Sequence, residues 1–154
     1  MEIFPCVWFD DQAAEAAALY TSLLPRSRVL STVLSPEATP GPTGEVMVVE
    51  IELDGARVML LNGGPIFPPS PAFSLVVEVD SQEELDRVWD GLIADGGAPS
   101  QCGWLTDRFG ISWQVVPRLL REYAGDAERY GKAMSAVMGM TKLDIAAIAS
   151  AAQA

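Results

Sequence analysis

The sequence contains an internal repeat in which a short apolar strand leads into a helix. Near the N-terminus IFPCVWF precedes DDQAAEAAALYTSLLP, and in the second half AFSLVVEV precedes DSQEELDRVWDGLIADGG. Aligning Asp10 with Asp80 gives an offset of 70 residues, whereas aligning Gly55 of DGARVMLL with Gly110 of FGISWQVV gives 55. The extra chain in the first half is Pro/Gly-rich (SPEATPGPTGE, 35–45), as expected of a surface loop. The repeat therefore predicts an α+β fold of paired βαβββ modules.

Each predicted helix has one apolar face and clear end signals. The apolar residues recur at i, i+3, i+4 and i+7, as Ala13, Ala16, Ala17, Tyr20, Leu23 and Leu24 in the first helix and Leu85, Val88, Trp89, Leu92 and Ile93 in the second. Pro25 ends the first helix, Ser81-x-x-Glu84 is a capping box, and Gly96-Gly97 ends the second. Asp54-Gly55 predicts a two-residue hairpin between strands at about 46–53 and 56–61.

These boundaries predict one domain (1–154) made of modules 1–64 and 72–117 and a C-terminal helical extension, 118–154. The extension carries a stripe of apolar residues at helical spacing (Ala127, Tyr130, Met134, Val137 and Met138), and Thr141-x-x-Asp144 is expected to cap a last helix. Left exposed, its apolar side chains would form an unusually large patch. We therefore expect a homodimer in which the extension takes part. The alternative is that these helices pack only on their own subunit.

Composition excludes several classes of function. The 154 residues carry a net charge of −11 and no Lys/Arg cluster, which disfavours nucleic acid and anionic membranes as partners. With no apolar run long enough to span a bilayer and no signal-peptide pattern, the sequence predicts a cytoplasmic protein. There is no histidine, which removes the commonest general base and transition-metal ligand. Cys6 and Cys102 are expected to be free thiols, since their spacing matches no metal or redox motif.

The period-two pattern of the strands marks a face for ligand binding. One face of the predicted hairpin is fully apolar and should pack on a helix; the other carries Glu50, Glu52, Arg57, Met59 and Leu61. Cys6 and Trp8 in the first strand, and Ser74 and Glu78 in the fifth, belong to the equivalent faces. Glu52 and Arg57 face each other, and an exposed cross-strand pair is the simpler interpretation for these two. Glu50 and Glu78 are the better functional candidates.

Gln114 is the unusual residue of QCGWLTDRFGISWQVVP (101–117), because it interrupts an otherwise apolar strand. A buried amide without a partner is costly, so we expect it to face a cavity. Trp113 aligns with the apolar face, whereas Trp104 precedes the Asp107-Arg108 turn and is a candidate for a pocket mouth. Arg108 is either an anion contact or a solvated turn residue.

The two modules, WFDDQAAEAAALY, NGGP and the 101–117 segment together resemble the vicinal oxygen chelate (glyoxalase/bleomycin resistance/dioxygenase) superfamily. The closest likeness is to its PhnB-like branch, the 3-demethylubiquinone 3-methyltransferase-like domains. The resemblance implies cupped sheets around a cavity and a homodimer. It also places the metal ligands of the superfamily's enzymes near residues 2–5, Met59, residues 72–74 and Gln114. Met59 is a poor ligand for a hard cation and no His is present, so we expect no metal and no cofactor.

Three functions follow from these observations. The first is a metal-free protein that binds an unknown small molecule, through a ligand-binding set of Cys6, Trp8, Glu50, Met59, Leu61, Glu78, Trp104 and Gln114. The second is a glyoxalase- or dioxygenase-like enzyme with Glu50 or Glu78 as catalytic base. The third is a structural or regulatory dimer without a ligand. Methyl transfer is disfavoured, because no strand, Gly-rich loop and helix follow one another as a nucleotide-like cofactor requires.

Overall fold

The computed structural model describes all residues, 1–154, as two compact units, 1–69 and 70–154. The first unit contains β1 (Cys6–Phe9), α1 (Ala13–Leu23), β2 (Arg28–Leu34), β3 (Val46–Leu53) and β4 (Ala56–Asn62). The second contains β5 (Leu75–Val79), α2 (Gln82–Ile93), a 3-10 turn (Ala94–Gly96), β6 (Ala98–Pro99), β7 (Trp104–Thr106) and β8 (Ser112–Pro117). Three helices end the chain: α3 (Leu119–Tyr123), α4 (Ala127–Val137) and α5 (Ile145–Ala151). None of the helices is both long enough and apolar enough to cross a bilayer.

Each unit forms a four-stranded sheet with the same topology, in the order β1-β4-β3-β2 and β5-β8-β7-β6. The first strand runs parallel to the fourth and the remaining neighbours are antiparallel, so the predicted pair of βαβββ modules is confirmed. Cys6 pairs with Met59 and Val76 pairs with Gln114. Val76 lies 70 residues after Cys6, and Gln114 lies 55 residues after Met59. These are the two offsets of the repeat in the sequence.

The first strand of each module begins later than the sequence pattern indicates. β1 starts at Cys6 and not near residue 3, and β5 starts at Leu75 and not near residue 72. Pro5 has no N–H to donate to a neighbouring strand. Its carbonyl accepts one hydrogen bond, from the Met59 N–H (3.0 Å). The residues before Pro5 are therefore outside the sheet.

The β3–β4 hairpin has the predicted two-residue turn. Asp54 and Gly55 both have positive φ, 48° and 87°, as a type I′ turn requires. This turn sets the register in which Glu50 lies opposite Met59 and Glu52 lies opposite Arg57. A slip of one residue would exchange the two faces of the sheet.

One face of the first sheet packs on α1. Its side chains are the buried apolar residues of β1, β3 and β4, and α1 covers them with small residues and Tyr20 (Val7, Phe9, Val49, Ile51, Leu53, Val58 and Leu60; Ala13, Ala16 and Ala17). Asn62 joins the helix to the sheet, since its Oδ1 accepts the Ala13 N–H (2.8 Å) and its Nδ2 donates to the Val46 carbonyl (2.9 Å). The predicted helix-packing face is confirmed.

The second sheet packs on α2 in the same way. Ser81 Oγ accepts the Glu84 N–H (3.2 Å), which confirms Ser81 as the helix cap, whereas Glu84 Oε2 accepts the N–H of Asp80 (3.0 Å) and not that of Ser81. Leu85, Val88, Trp89 and Leu92 are buried together with Trp113 and Val115 of β8.

A buried aspartate that sequence reasoning treated only as a turn residue organises the β7–β8 connection. Asp107 is 2% exposed. Its Oδ1 accepts the N–H groups of Phe109 (2.9 Å) and Ile111 (3.0 Å), and its Oδ2 accepts the Nε1–H of Trp113 (2.9 Å). This network fixes Trp113 in the core, as its alignment with Val58 indicates.

The C-terminal segment packs on the second unit. The Cys102 and Gly103 N–H groups donate to the Met140 (2.7 Å) and Thr141 (2.9 Å) carbonyls. Gln82 donates to the Leu143 carbonyl (3.1 Å) and accepts the Ile145 N–H (2.9 Å). The segment therefore packs on its own subunit, and its part in a homodimer stays a prediction.

Two sequence-based details of this segment are wrong. Asp144, and not Thr141, caps the last helix, because its Oδ1 accepts the Ala147 N–H (2.9 Å). In α4 the buried side chains are Ala133 and Val137, whereas Tyr130 and Met138 are exposed. A stripe of apolar residues does not by itself say which of them meet a neighbour.

Removing the charge of Asp86 should loosen the C-terminal segment in a pH-dependent way. Hydrogen bonds from Lys142 (ion pair at 2.8 Å) and then Gln82 lower the pKa of Asp86. Desolvation would lower the pKa of Lys142, but its contacts with Asp86 and Asp90 outweigh it and the pKa is raised. The contact therefore stabilises the fold above about pH 4 and below about pH 10, and is lost outside this window as either partner is neutralised.

We expect Asp86→Asn to lower the urea midpoint at pH 7 and to differ less from wild type at pH 3. The matched control is Asp95→Asn, which removes an exposed carboxylate paired with Arg108 (3.1 Å). If Asp86→Asn lowers the urea midpoint by the same amount at pH 7 and pH 3, the charge of Asp86 does not stabilise the fold.

Candidate functional site

The face of the first sheet opposite α1 combines apolar, aromatic and charged side chains. We call this set the first open face: Cys6, Trp8, Val48, Glu50, Glu52, Arg57, Met59 and Leu61. Most of these side chains are half-buried, although the sheet has no helix of its own unit on this side. Five of the predicted ligand-binding residues, Cys6, Trp8, Glu50, Met59 and Leu61, belong to it.

Arg57 is the centre of the charged end of this face. Its Nη2 donates to Glu50 Oε2 (2.7 Å), its Nη1 donates to Glu2 Oε2 (2.8 Å), and the Phe4 ring centroid lies 4.1 Å from its guanidinium carbon. The hydrogen bond to Glu50, followed by the charges of both carboxylates, raises the pKa of Arg57. Its Nε is shielded from solvent and has no acceptor within the chain.

Of the ion pairs between strands of this sheet, Arg28–Glu52 joins directly opposite residues and Arg57–Glu50 is diagonal. Glu52 lies opposite Arg57 in the register, but its carboxylate pairs with Arg28 of β2 (3.3 Å). Arg57 of β4 reaches diagonally across to Glu50 of β3, which lies opposite Met59. The predicted Glu52–Arg57 pair is therefore wrong, because long side chains on a sheet also reach diagonal neighbours.

Trp8 forms the aromatic end of the face. Its Nε1 donates to the Gly64 carbonyl (2.8 Å), and Phe67 contacts its ring edge to face with centroids 5.1 Å apart. Gly63 lies directly against the ring, where a Cβ would come within 2.1 Å of Cζ2. Phe67 and the neighbouring Ile66 are exposed. The NGGP sequence thus holds Trp8 in place. No helix lies between this sequence and β5.

Cys6 and Met59 lie side by side between the two ends of the face. Partial burial raises the pKa of the Cys6 thiol, although the residue as a whole is exposed. The thiol is therefore neutral near pH 7 and is a poor nucleophile.

The equivalent face of the second sheet carries the other predicted residues: Glu78, Trp104 and Gln114, with Ser74, Val76 and Val116. Gln114 is half-buried, and its Nε2 donates to Ser74 Oγ (3.0 Å). Trp104 is the register partner of Gln114 on the adjacent strand. The amide therefore lies on the open side of its sheet and is paired with a side chain, not with the backbone.

The sequence does not predict the partners of these residues. Glu78 accepts a bond from Arg121 Nε (3.1 Å) and also pairs with its Nη2, and Arg121 lies in the C-terminal segment. Arg108 pairs with Asp95 at 3.1 Å, which leaves it a surface residue. Phe4 shares the period-two parity of Cys6 and Trp8, whereas no periodic pattern links Glu2 or Phe67 to the sheet.

Comparison with known proteins identifies the family. A family model described as 3-demethylubiquinone-9 3-methyltransferase matches residues 1–116. The chain belongs to this family. It is thereby a PhnB-like member of the vicinal oxygen chelate superfamily, as the sequence resemblance implies. No curated protein matches the sequence.

Solved structures share the fold of this PhnB-like chain. A PhnB protein from Bacillus cereus has 32% sequence identity and a TM-score of 0.69, over 76% of this chain and 99% of that one. Protein PA1353 from Pseudomonas aeruginosa has 23% identity and a TM-score of 0.62, over 76% and 97%. The fosfomycin resistance protein FosX from Listeria monocytogenes, solved with Mn(II) and sulfate, has 12% identity and a TM-score of 0.52, over 75% and 89%. The last two show likeness of fold alone.

The donors at the positions where the superfamily's enzymes hold a metal do not fit a hard divalent cation. Met59 offers a thioether, the Gln114 amide and Ser74 hydroxyl are bonded to each other, and the carboxylate of Glu2 is paired with Arg57. Divalent cations such as Mn²⁺ and Mg²⁺ prefer carboxylates and other oxygen donors. No three His, Cys, Asp or Glu residues are placed so that they could hold a metal ion. A metal-free site remains our expectation on the chemistry of these donors.

Placing a methyl group on Gly63 should disturb the aromatic end of the first open face. In Gly63→Ala the new Cβ would overlap the Trp8 ring, so the ring must move and lose its bond to Gly64 and its contact with Phe67. We expect a loss of roughly 1–3 kcal/mol in unfolding free energy and a red shift of Trp8 emission. Urea unfolding and fluorescence, with Trp8→Phe to assign the signal, measure both.

The matched control for this variant is Gly131→Ala in α4, where a Cβ meets nothing within 4 Å. We expect it to gain up to about 1 kcal/mol from helix propensity. Unchanged stability and emission in Gly63→Ala would contradict the placement of Trp8.

Proposed function

We propose that the chain binds a small organic molecule on the first open face and that it does so without a resident metal. The observation that carries this proposal is the arrangement of Trp8, Met59 and Leu61 beside the Arg57–Glu50 pair on the uncovered side of a sheet. Apolar and aromatic surface with a few fixed polar groups is typical of small-molecule sites. The equivalent face of the second sheet, which we call the second open face, carries a polar and aromatic set of its own in Gln114 and Trp104.

The two glutamates have contacts that favour roles in positioning over proton abstraction. Glu50 is bonded to Arg57 and Glu78 is bonded to Arg121. A general base needs an oxygen directed at a substrate proton, and each of these carboxylates already accepts hydrogen bonds from an arginine. Enzyme activity with Glu50 or Glu78 as base therefore has less support than binding.

Binding of a neutral aromatic probe should perturb Trp8. We expect 1-naphthylmethanol to shift the indole N–H resonance of Trp8 but not those of the buried Trp89 and Trp113 in a titration followed by NMR. Trp8→Ala should weaken binding about tenfold, since stacked aromatic area supplies much of the affinity. Trp104→Ala tests whether the second open face takes part.

The same preparation should contain no stoichiometric Zn, Mn, Ni or Fe by elemental analysis after dialysis. A bound metal would overturn the metal-free proposal and would direct attention to Glu50, Glu78 and Gln114 as ligands. Absence of any probe binding to wild type, with Trp8 unperturbed, would leave a structural or regulatory dimer as the better hypothesis.

We also propose that the chain forms a homodimer, and the observation that favours β2 as the contact is its exposure. All seven residues of β2 are exposed, including Val29, Leu30, Val33 and Leu34. β2 is an edge strand and carries only one charged residue, Arg28, in a chain of net charge −11. Contact between two copies through β2 brings no acidic side chains of that strand together, so it adds little charge repulsion. An exposed apolar edge strand is also a surface that proteins usually cover.

Light scattering at micromolar concentration should give twice the chain mass, and Val33→Lys should give the monomer. Met138→Lys in the exposed part of the C-terminal segment is the control. If Met138→Lys dissociates the dimer and Val33→Lys does not, the C-terminal segment is the contact. A monomeric wild type would contradict the dimer itself.

A further inference from the structure

The Arg57 guanidinium has more hydrogen-bonding capacity than the chain uses. It carries five N–H donors in a planar fork, and a bidentate oxyanion matches two of them at once. Glu50 and Glu2 each accept only one of its bonds in this structure, through Nη2 and Nη1. The buried Nε donates to nothing. A shielded donor without an acceptor is unusual in a folded protein and needs an explanation.

The two carboxylates on Arg57 are held very differently. Glu50 lies in the middle of β3 and its side chain is 19% exposed, so the sheet fixes it. Glu2 is 75% exposed and precedes β1, where no strand pairing holds it. Its neighbours Met1 and Ile3 are almost fully exposed. An exposed ion pair of this kind is weak, so Glu2 is replaceable.

Phe4 completes a strap formed by residues 1–5. Its ring stacks on the guanidinium, 4.1 Å from the central carbon, and shields that side of Arg57. The strap is attached to the sheet through the Pro5 carbonyl and the Met59 N–H. Movement of residues 1–4 about this point would free Nη1 from Glu2 and uncover the face of the guanidinium that Phe4 shields.

The surroundings of Arg57 indicate what would take the place of Glu2. The contact with Glu50 brings the guanidinium toward Met59, and Trp8 lies opposite Leu61, two residues farther along β4. That step is about 7 Å along a strand, the length of a small aromatic ring system. An arginine at one end and apolar surface at the other match a molecule with one oxyanion and an apolar body.

We propose that Arg57 is the binding site for a carboxylate or similar oxyanion of an organic ligand, and that Glu2 occupies this site as an internal substitute. This inference rests on the proposed small-molecule function and names the class of its ligand. When a ligand carboxylate replaces Glu2, the net charge around Arg57 does not change. Arg57 and Glu50 still neutralise each other, and the ligand supplies the one negative charge that Glu2 supplied. The local arginine acts at contact distance, whereas the distant negative charges of the chain are screened.

The test compares two probes that differ in the charged group, 1-naphthoate and 1-naphthylmethanol. We expect wild type to bind 1-naphthoate about tenfold more tightly, by fluorescence titration at low salt. Glu2→Gln should strengthen 1-naphthoate binding several-fold and leave 1-naphthylmethanol unchanged, because the competing carboxylate is gone. Arg57→Gln should abolish the preference for the anion.

The controls separate this inference from the proposed function and from effects on folding. Arg28→Gln removes an exposed arginine that pairs with Glu52 and should leave the preference intact. Glu2→Gln lies in an exposed terminal residue outside the sheet, so its effect does not depend on the stability of the core. Arg57→Lys keeps the charge without the fork and should retain only part of the preference.

Equal binding of both probes to wild type and to Glu2→Gln would overturn the oxyanion site and leave the small-molecule function standing. Failure of both probes to bind either protein would overturn both proposals. A preference for 1-naphthoate that survives Arg57→Gln would place the anion elsewhere and also refute the inference.

Discussion

The parallel pairing of the first and fourth strands is the interaction on which each unit depends. In the first unit it sets Cys6 beside Met59 and Trp8 beside Leu61, and in the second it sets Val76 beside Gln114. Because side chains alternate along a strand, this register decides at once what α1 or α2 covers and what lies open. A shift of β1 by one residue against β4 would turn Cys6 and Trp8 toward α1 and expose Val7 and Phe9.

The two sheets share a topology but differ in chemistry. The first open face has an arginine between two carboxylates and a tryptophan held by a glycine-rich turn. The second has an amide paired with a hydroxyl, and a glutamate tied to the C-terminal segment through Arg121. The repeated module thus keeps the strand pairing that its core requires, while the residues of its open face differ between the two units.

Membership of the family does not by itself determine the chemistry at the positions to which the resemblance assigns metal ligands. The chain belongs to the 3-demethylubiquinone-9 3-methyltransferase family by its sequence and is similar in fold to FosX, which was solved with Mn(II) and sulfate. The fold is fixed by buried apolar pairs such as Val58 and Ile51, which do not depend on the identity of any ligand residue. Function depends on the donors at a few open positions, and here these are a thioether, an amide and a hydroxyl.

The sequence by itself determined the modules, the helix-packing faces and the β3–β4 register, because these depend on periodicity and on local turn chemistry at Asp54-Gly55. It also placed Trp8, Met59 and Gln114 on open faces, since strand parity needs no knowledge of the neighbours. Only the tertiary structure decided that Arg57 binds Glu50 and Glu2 instead of Glu52, and that Glu78 binds Arg121. Those contacts join residues far apart in the chain or diagonal on a sheet, and long side chains choose among several partners within reach. No local pattern encodes that choice.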